Sequence, residues 1–108
     1  MATSDALRGH VDAMLLAVLA DGPVHGYGAV ERIRARSGGA LDFPSGTVYP
    51  ALKRLERRGL IEGEWETGGR SKRVYRLTTA GATALEQERS AWSTTSSLIT
   101  SVLGSARA

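Results

Sequence analysis

The sequence predicts a mainly α-helical fold with one small β-hairpin, followed by a long terminal helix. Three observations carry that expectation. In S-G-T-V-Y-P-A-L-K-R-L-E-R-R-G, from residue 45, Val48, Leu52 and Leu55 fall at i, i+4, i+7, one apolar stripe of a helix. Directly after it, the alternating runs L-I-E-G-E-W-E and R-V-Y-R-L flank the Gly-rich basic tip T-G-G-R-S-K, the pattern of a hairpin. Near the end, Leu85, Trp92 and Ile99 lie seven residues apart, a heptad seam that Val102 and Leu103 extend.

Taken in order, residues 1–6 are small and polar and are expected to fray. Residues 7–20 read as a helix whose face is traced by Leu7, Val11, Met14, Leu15, Val18 and Leu19. The later part of that stripe is expected in the core, and its Leu7–Val11 end is expected to be available to a partner subunit. Asp21-Gly22-Pro23 stops the helix. A second helix opens at V-H-G-Y-G and runs to about Ser37, with Ala29, Val30 and Ile33 inward and Glu31, Arg32, Arg34 and Arg36 outward. His25 reads as a cap or a packed side chain rather than a metal ligand or base, because the chain has only one other histidine and no cysteine. Tyr27 is either a core ring or a hydroxyl that meets DNA phosphate. Leu41 and Phe43 are expected to pack as core in an extended link.

In the third helix Ser45 or Thr47 can be the N-cap, since either hydroxyl accepts from an otherwise unpaired N–H. Pro50 argues for an early start, and a cap at Ser45 would leave one ladder bond missing and a slight bend. Gly59 ends the helix. For the hairpin, pairing Trp65 with Tyr75 sets Glu64 opposite Arg76, matching apolar with apolar and acid with base. Thr78 or Thr79 caps the last helix, which runs to about Leu103. About 25 residues at 1.5 Å each is roughly 37 Å, longer than so small a domain can cover, so the seam needs another chain. Its Ser/Thr-rich centre reads as a solvated or closely packed face, and residues 104–108 as a loose tail.

Charge is distributed unevenly. Residues 45–76 hold eight Lys or Arg against four Glu, a local charge of +4, on a chain whose net charge is +3. A basic helix followed by a basic-tipped hairpin is the winged helix-turn-helix arrangement for double-stranded DNA: the helix fits the major groove and the wing reaches the flanking backbone. Lysine and arginine attract phosphate through counterion release. The expected DNA-binding residues are Tyr27, then Ser45, Gly46, Thr47 and Tyr49 at the helix start, Lys53 and Arg54 toward base edges or phosphates, and Gly69, Arg70, Ser71, Lys72 and Arg73 on the wing. Tyr49 has a core alternative, since it borders the apolar stripe. Arg57 and Arg58 balance the helix dipole.

Three stretches carry a family resemblance: H-G-Y-G at 25–28, S-G-T-V-Y-P-A-L-K-R-L-E-R-R-G-L-I at 45–61, and G-G-R-S-K-R-V-Y-R-L-T-T-A-G at 68–81. In that order and spacing, and over residues 7–92, the chain resembles PadR-family transcriptional regulators of the short, multidrug-binding subgroup. The resemblance implies a dimeric bacterial winged-helix regulator, usually a repressor, with a C-terminal helix that makes the dimer. On that basis residues 1–78 form the DNA-binding domain and 79–108 the dimerisation helix and tail. Dimerisation is assigned to Leu7, Val11, Leu85, Trp92, Ile99, Val102 and Leu103. Trp92 is either an interface anchor or, as the resemblance implies, the wall of a pore between subunits. In that pore it would bind a small aromatic or hydrophobic effector together with Ser96 and Leu15. The partners implied are a pseudo-palindromic operator, a second copy of the chain and that effector.

Other classes are disfavoured. The chain has no cysteine, hence no disulfide or thiolate metal site, which fits a cytoplasmic protein. No apolar run approaches the roughly 20 residues that span a bilayer, and the start lacks a signal-peptide pattern. There is no nucleophile–base pair, no metal-ligand cluster, and no G-K-[ST] after Gly68-Gly69, so neither an enzyme nor a cofactor is expected. The alternative function is a winged-helix module that binds protein through its recognition helix.

Overall fold

The computed structural model describes residues 7–66 and 72–104. Four helices and a three-stranded sheet follow one another: a short 3₁₀ turn Arg8–His10, α1 Val11–Leu19, β1 Val24–His25, α2 Gly26–Arg36, α3 Ser45–Arg57, β2 Ile61–Trp65, β3 Arg73–Leu77 and α4 Thr79–Leu103. The expected helix over 7–20 thus begins as a tighter turn. Gly9 is a poor helix former, and His10, at the N-cap position, offers no side-chain cap.

One core holds α1, α2, α3 and the base of the sheet together. α1 buries Val11, Leu15, Leu16, Val18 and Leu19 in it, α2 buries Ala29, Val30 and Ile33, and α3 buries Val48, Ala51, Leu52 and Leu55. Phe43 closes it from the link before α3. Arg32, expected outward, instead turns in beneath α1. Its Nη1 donates to the carbonyls of Val18 at 3.0 Å and Gly22 at 2.7 Å, satisfying acceptors at the end of that helix.

The start of α3 differs from expectation: the N-cap position falls on Pro44, with no side-chain cap, and Ser45 lies inside the first turn. Thr47 and Val48 donate to the Pro44 carbonyl at 2.9 and 3.1 Å. A proline with φ −73° is already set for an extended entry and has no N–H to satisfy. At the other end Gly59 adopts φ +73°. Its N–H reaches the Glu56 carbonyl and that of Leu60 the Leu55 carbonyl, both at 3.0 Å, which ends the helix as a Schellman motif.

The sheet corrects two expectations. Val24 and His25 add a third strand, pairing with Tyr75 and Val74, so the order is β1-β3-β2. The hairpin pairs Trp65 with Arg73 and Gly63 with Tyr75, two residues away from the expected register. Side chains alternate with period two, so this shift leaves each on its expected face, and the alternation alone cannot separate the two registers. Ile61 opposite Leu77 anchors the observed one at the core end. Glu64 and Arg76 still meet, as diagonal neighbours 3.1 Å apart.

Thr78 joins α3 to α4. Its hydroxyl donates to the Gly59 carbonyl at 2.7 Å and accepts from the Gly81 N–H at 3.0 Å. Gly81 lies so close to the chain that a Cβ there would sit 2.0 Å from the Leu60 carbonyl oxygen. Beyond Leu85, which is buried, α4 leaves the core.

Candidate nucleic-acid interface

The outer face of α3 and the hairpin enclose a groove of about 680 Å³ whose walls include Tyr27, Tyr49, Lys53, Trp65, Lys72 and Arg73. Two glycines shape its floor. A Cβ at Gly26 would lie 2.7 Å from the Tyr49 ring, and one at Gly28 would lie 2.2 Å from the Val24 side chain. The H-G-Y-G stretch therefore lets the tyrosine of α3 lie across the start of α2 and lets α2 leave β1 closely.

The expected contact residues fall into three groups. Ser45, Gly46, Tyr49 and Lys53 are exposed on α3, and Thr47 is half-buried. Tyr27 is 62% exposed and Tyr49 44%, so neither is a core ring. Lys72 is exposed beside the wing. The second group is occupied elsewhere. Arg54 binds Asp12 of α1 through Nη2 at 2.8 Å, and the hydrogen bond and charge of Asp12 raise its pKa, so it stays a cation. Arg73, expected on the wing as a DNA contact, instead pairs with Glu56 of α3. Its guanidinium lies 5.3 Å from the centre of the Trp65 ring and 5.9 Å from that of Tyr75. The third group, Gly69, Arg70 and Ser71, lies outside the described residues.

Local charge sets the state of this surface. The hydrogen bond to Glu56 raises the Arg73 pKa despite partial burial. Burial pushes the Tyr75 phenol above 10.0, and the Glu56 carboxylate adds to that, so it is neutral at ordinary pH. His25 occupies the N-cap position of α2 without a side-chain cap, and its Nε2 meets the Glu66 carboxylate at 3.0 Å across the base of the wing. Trp65, Glu56 and Glu66 were not expected here. Trp65 could have been found from its place one turn of pleat before a basic tip, but Glu56 and Glu66 act through partners distant in sequence.

A second surface lies between α1 and α4. A groove of about 300 Å³ is lined by residues that include Leu7, His10, Met14, Leu85, Arg89 and Trp92. Trp92 is 59% exposed and meets the His10 ring edge-on, centroids 5.5 Å apart. Three assignments need correction. Val11, expected at a subunit interface, is 1% exposed, and Leu15, expected at the effector site, is 0% exposed. Both are consumed by the core, and so is Leu85. Ser96 is half-buried one turn beyond Trp92, and its Oγ donates to the Ser93 carbonyl of its own helix. Leu7 is half-buried and packs on the core. His10 and Met14 take the places expected for Leu15; both continue the stripe from Leu7 at helical spacing. Farther along α4, Leu98, Ile99, Val102 and Leu103 are exposed, Val102 by 85%. Among the described residues no cluster of His, Asp and Glu can hold a metal, and no helix is long and apolar enough to cross a membrane.

A family model described as the transcriptional regulator PadR-like family matches residues 15–87. The transcriptional regulator Rv3488 of Mycobacterium tuberculosis (strain ATCC 25618 / H37Rv) is 40% identical over 85 residues, covering 78% of this chain and 77% of that one. Among solved structures, a transcriptional regulator from Clostridium thermocellum superposes with a TM-score of 0.87 at 29% identity, covering 94% of this chain and 100% of that one. A PadR family transcription regulator from Clostridium difficile R20291 superposes with a TM-score of 0.77 at 26% identity, covering 88% and 99%.

Proposed function

Because the chain belongs to the PadR-like family of transcriptional regulators, and so is a DNA-binding regulator rather than an enzyme, we propose that it acts as a homodimeric cytoplasmic repressor released by an effector. Its α3 helices enter successive major grooves of a pseudo-palindromic operator, half-sites about one helical turn apart, roughly 34 Å. Tyr27, Ser45, Gly46, Thr47, Tyr49, Lys53 and Lys72 meet DNA, with Gly69, Arg70 and Ser71 at the wing tip. Tyr49 and Lys53 stand on the exposed face of α3, and Lys72 faces them across the groove. That arrangement supports a groove wall read by α3 and a phosphate held by the wing.

The observation that carries the dimer is the row of exposed apolar side chains on α4. Trp92, Ile99, Val102 and Leu103 stand beyond the core on one long helix, a surface that a lone domain of this size does not leave in water. Residues 1–78 then form the DNA-binding unit, and 79–108 the dimerisation helix, with the first turns of α4 packed on that unit. Trp92, at the mouth of the α1–α4 groove, is the anchor for a small aromatic or hydrophobic effector. Such a ligand releases DNA only if it binds the non-operator spacing of the two α3 helices more tightly.

Sedimentation velocity of the wild type and of Val102→Asp tests the assembly. A dimer that becomes a monomer in the variant supports the reading, and a wild-type monomer at micromolar concentration overturns it. Titration of planar aromatic compounds against Trp92 emission tests the effector; Trp92→Ala should abolish binding and spare DNA affinity. A wild type that binds no DNA at low salt while capturing a protein through α3 would favour an interaction module.

A further inference from the structure

We infer that Arg73 is a positioning residue that fixes the wing to the recognition helix through Glu56, and that it is not a phosphate contact. The inference rests on the DNA-binding reading above and assigns roles within that surface.

Four observations converge on one side chain. Arg73 leaves β3 on the same face as its strand partner Trp65 and as Gly63 and Tyr75. It crosses Gly63 so closely that a Cβ there would lie 2.5 Å from Arg73 Nε and 2.9 Å from its Cζ. Glycine is thus required at 63 for the guanidinium to pass. Trp65 and Tyr75 hold it on either side at 5.3 and 5.9 Å, distances at which a ring face attracts a cation. Its charge ends on Glu56, the one carboxylate on α3, a side chain only 27% exposed. The pair joins residues 17 apart in sequence and spans from the wing strand to the helix it accompanies.

A carboxylate on a DNA-reading helix opposes phosphate. Glu56 is tolerable there because Arg73 neutralises it and because the pair sets the angle between α3 and the hairpin. The cations left for DNA on this surface are Lys53 and Lys72, for which no carboxylate partner is seen among the described residues. A guanidinium suits the strut better than an ammonium, since its planar fork can bond a carboxylate and stack on rings at once.

The two roles predict opposite effects for one variant. Glu56→Gln removes a negative charge from the DNA-facing side. If Arg73 binds phosphate, the change frees it and DNA binds as well or more tightly. If Arg73 is a strut, the change releases the wing and binding weakens, by about tenfold. The test measures affinity and its salt dependence for wild type, Glu56→Gln, Arg73→Met and the double variant, on a short duplex selected from random-sequence DNA by the wild type. The strut predicts equal losses in both single variants, no further loss in the double, and an unchanged slope of log K against log salt. A slope smaller by about one in Arg73→Met, an unaffected or tighter Glu56→Gln, or additive losses overturns it.

Emission of Trp65, read in a Trp92→Phe background without DNA, tests the strut separately from DNA binding. Glu56→Gln should shift it by letting the guanidinium leave the ring; an unshifted spectrum overturns the strut. A wild type that selects no duplex would overturn the DNA reading while this arm still reports whether Glu56 holds Arg73.

Discussion

Thr78→Ala should lower stability through two hydrogen bonds at once. The Thr78 hydroxyl accepts from the Gly81 N–H at 3.0 Å, capping α4, and donates to the Gly59 carbonyl at 2.7 Å, beyond the end of α3. Loss of a side-chain N-cap costs about 1 kcal/mol. The second bond is neutral and worth about 1 kcal/mol; Gly59 is exposed, so water can take over its carbonyl and no buried orphan adds to the loss. The sum is about 2 kcal/mol. At roughly 4–8 °C per kcal/mol for a domain near this size, Tm should fall by about 10 °C. Thr78→Ser keeps the hydroxyl and should stay within about 1 kcal/mol of wild type. Far-ultraviolet circular dichroism melts decide the matter, at one fixed protomer concentration because dimerisation would make Tm concentration-dependent. A Thr78→Ala protein that melts with the wild type, or a serine variant that melts with the alanine one, would refute the two-bond account.

Three further outcomes follow from the packing and charge. Leu52, fully buried between α3 and the core, should cost about 2–5 kcal/mol when cut to alanine, read as a lower urea midpoint with unchanged m. Gly81→Ala forces a Cβ to within 2.0 Å of the Leu60 carbonyl oxygen and should cost at least about 1–3 kcal/mol by the same measurement; a wild-type midpoint contradicts that close approach. Tyr75 is held neutral by burial, with a folded pKa above its ordinary 10.0. Its contribution is therefore fully present below pH 10 and is lost as pH rises through the folded value. Wild type should lose stability over that window relative to Tyr75→Phe, and parallel pH profiles would contradict the assignment.

What could be read in the sequence divides by the range of the interaction. α3 and α4 were legible because three to five apolar residues repeat at helical spacing along each, and Gly59 marks the end of α3 by a local backbone rule. The core roles of Phe43 and Leu52 follow from the same patterns. The strand Val24–His25 was not legible, since two residues cannot display an alternation. The hairpin register slipped by two because a two-residue shift preserves every face, and only the core-end pair Ile61–Leu77 decides it. Arginine roles were the least legible part of the site. Arg54 meets Asp12 from 42 residues away and Arg73 meets Glu56 from 17 away. A long flexible cation reads the same in sequence whether it faces phosphate or a carboxylate of its own chain. The first helix was misjudged for a related reason: the breadth of its stripe was divided between core and partner, whereas Val11 and Leu15 both went to the core.

The most direct measurement of the central claim is fluorescence anisotropy of the protein with DNA from upstream of its own gene, against a scrambled duplex, over a series of monovalent salt concentrations. Lys53 and Lys72 of two protomers, each at a phosphate, give a slope of log K against log salt of about −3.6, and the wing tip would steepen it. The account predicts tight binding that prefers the upstream duplex and weakens with at least that slope. A flat salt response, or no binding to either duplex at low salt, would contradict it.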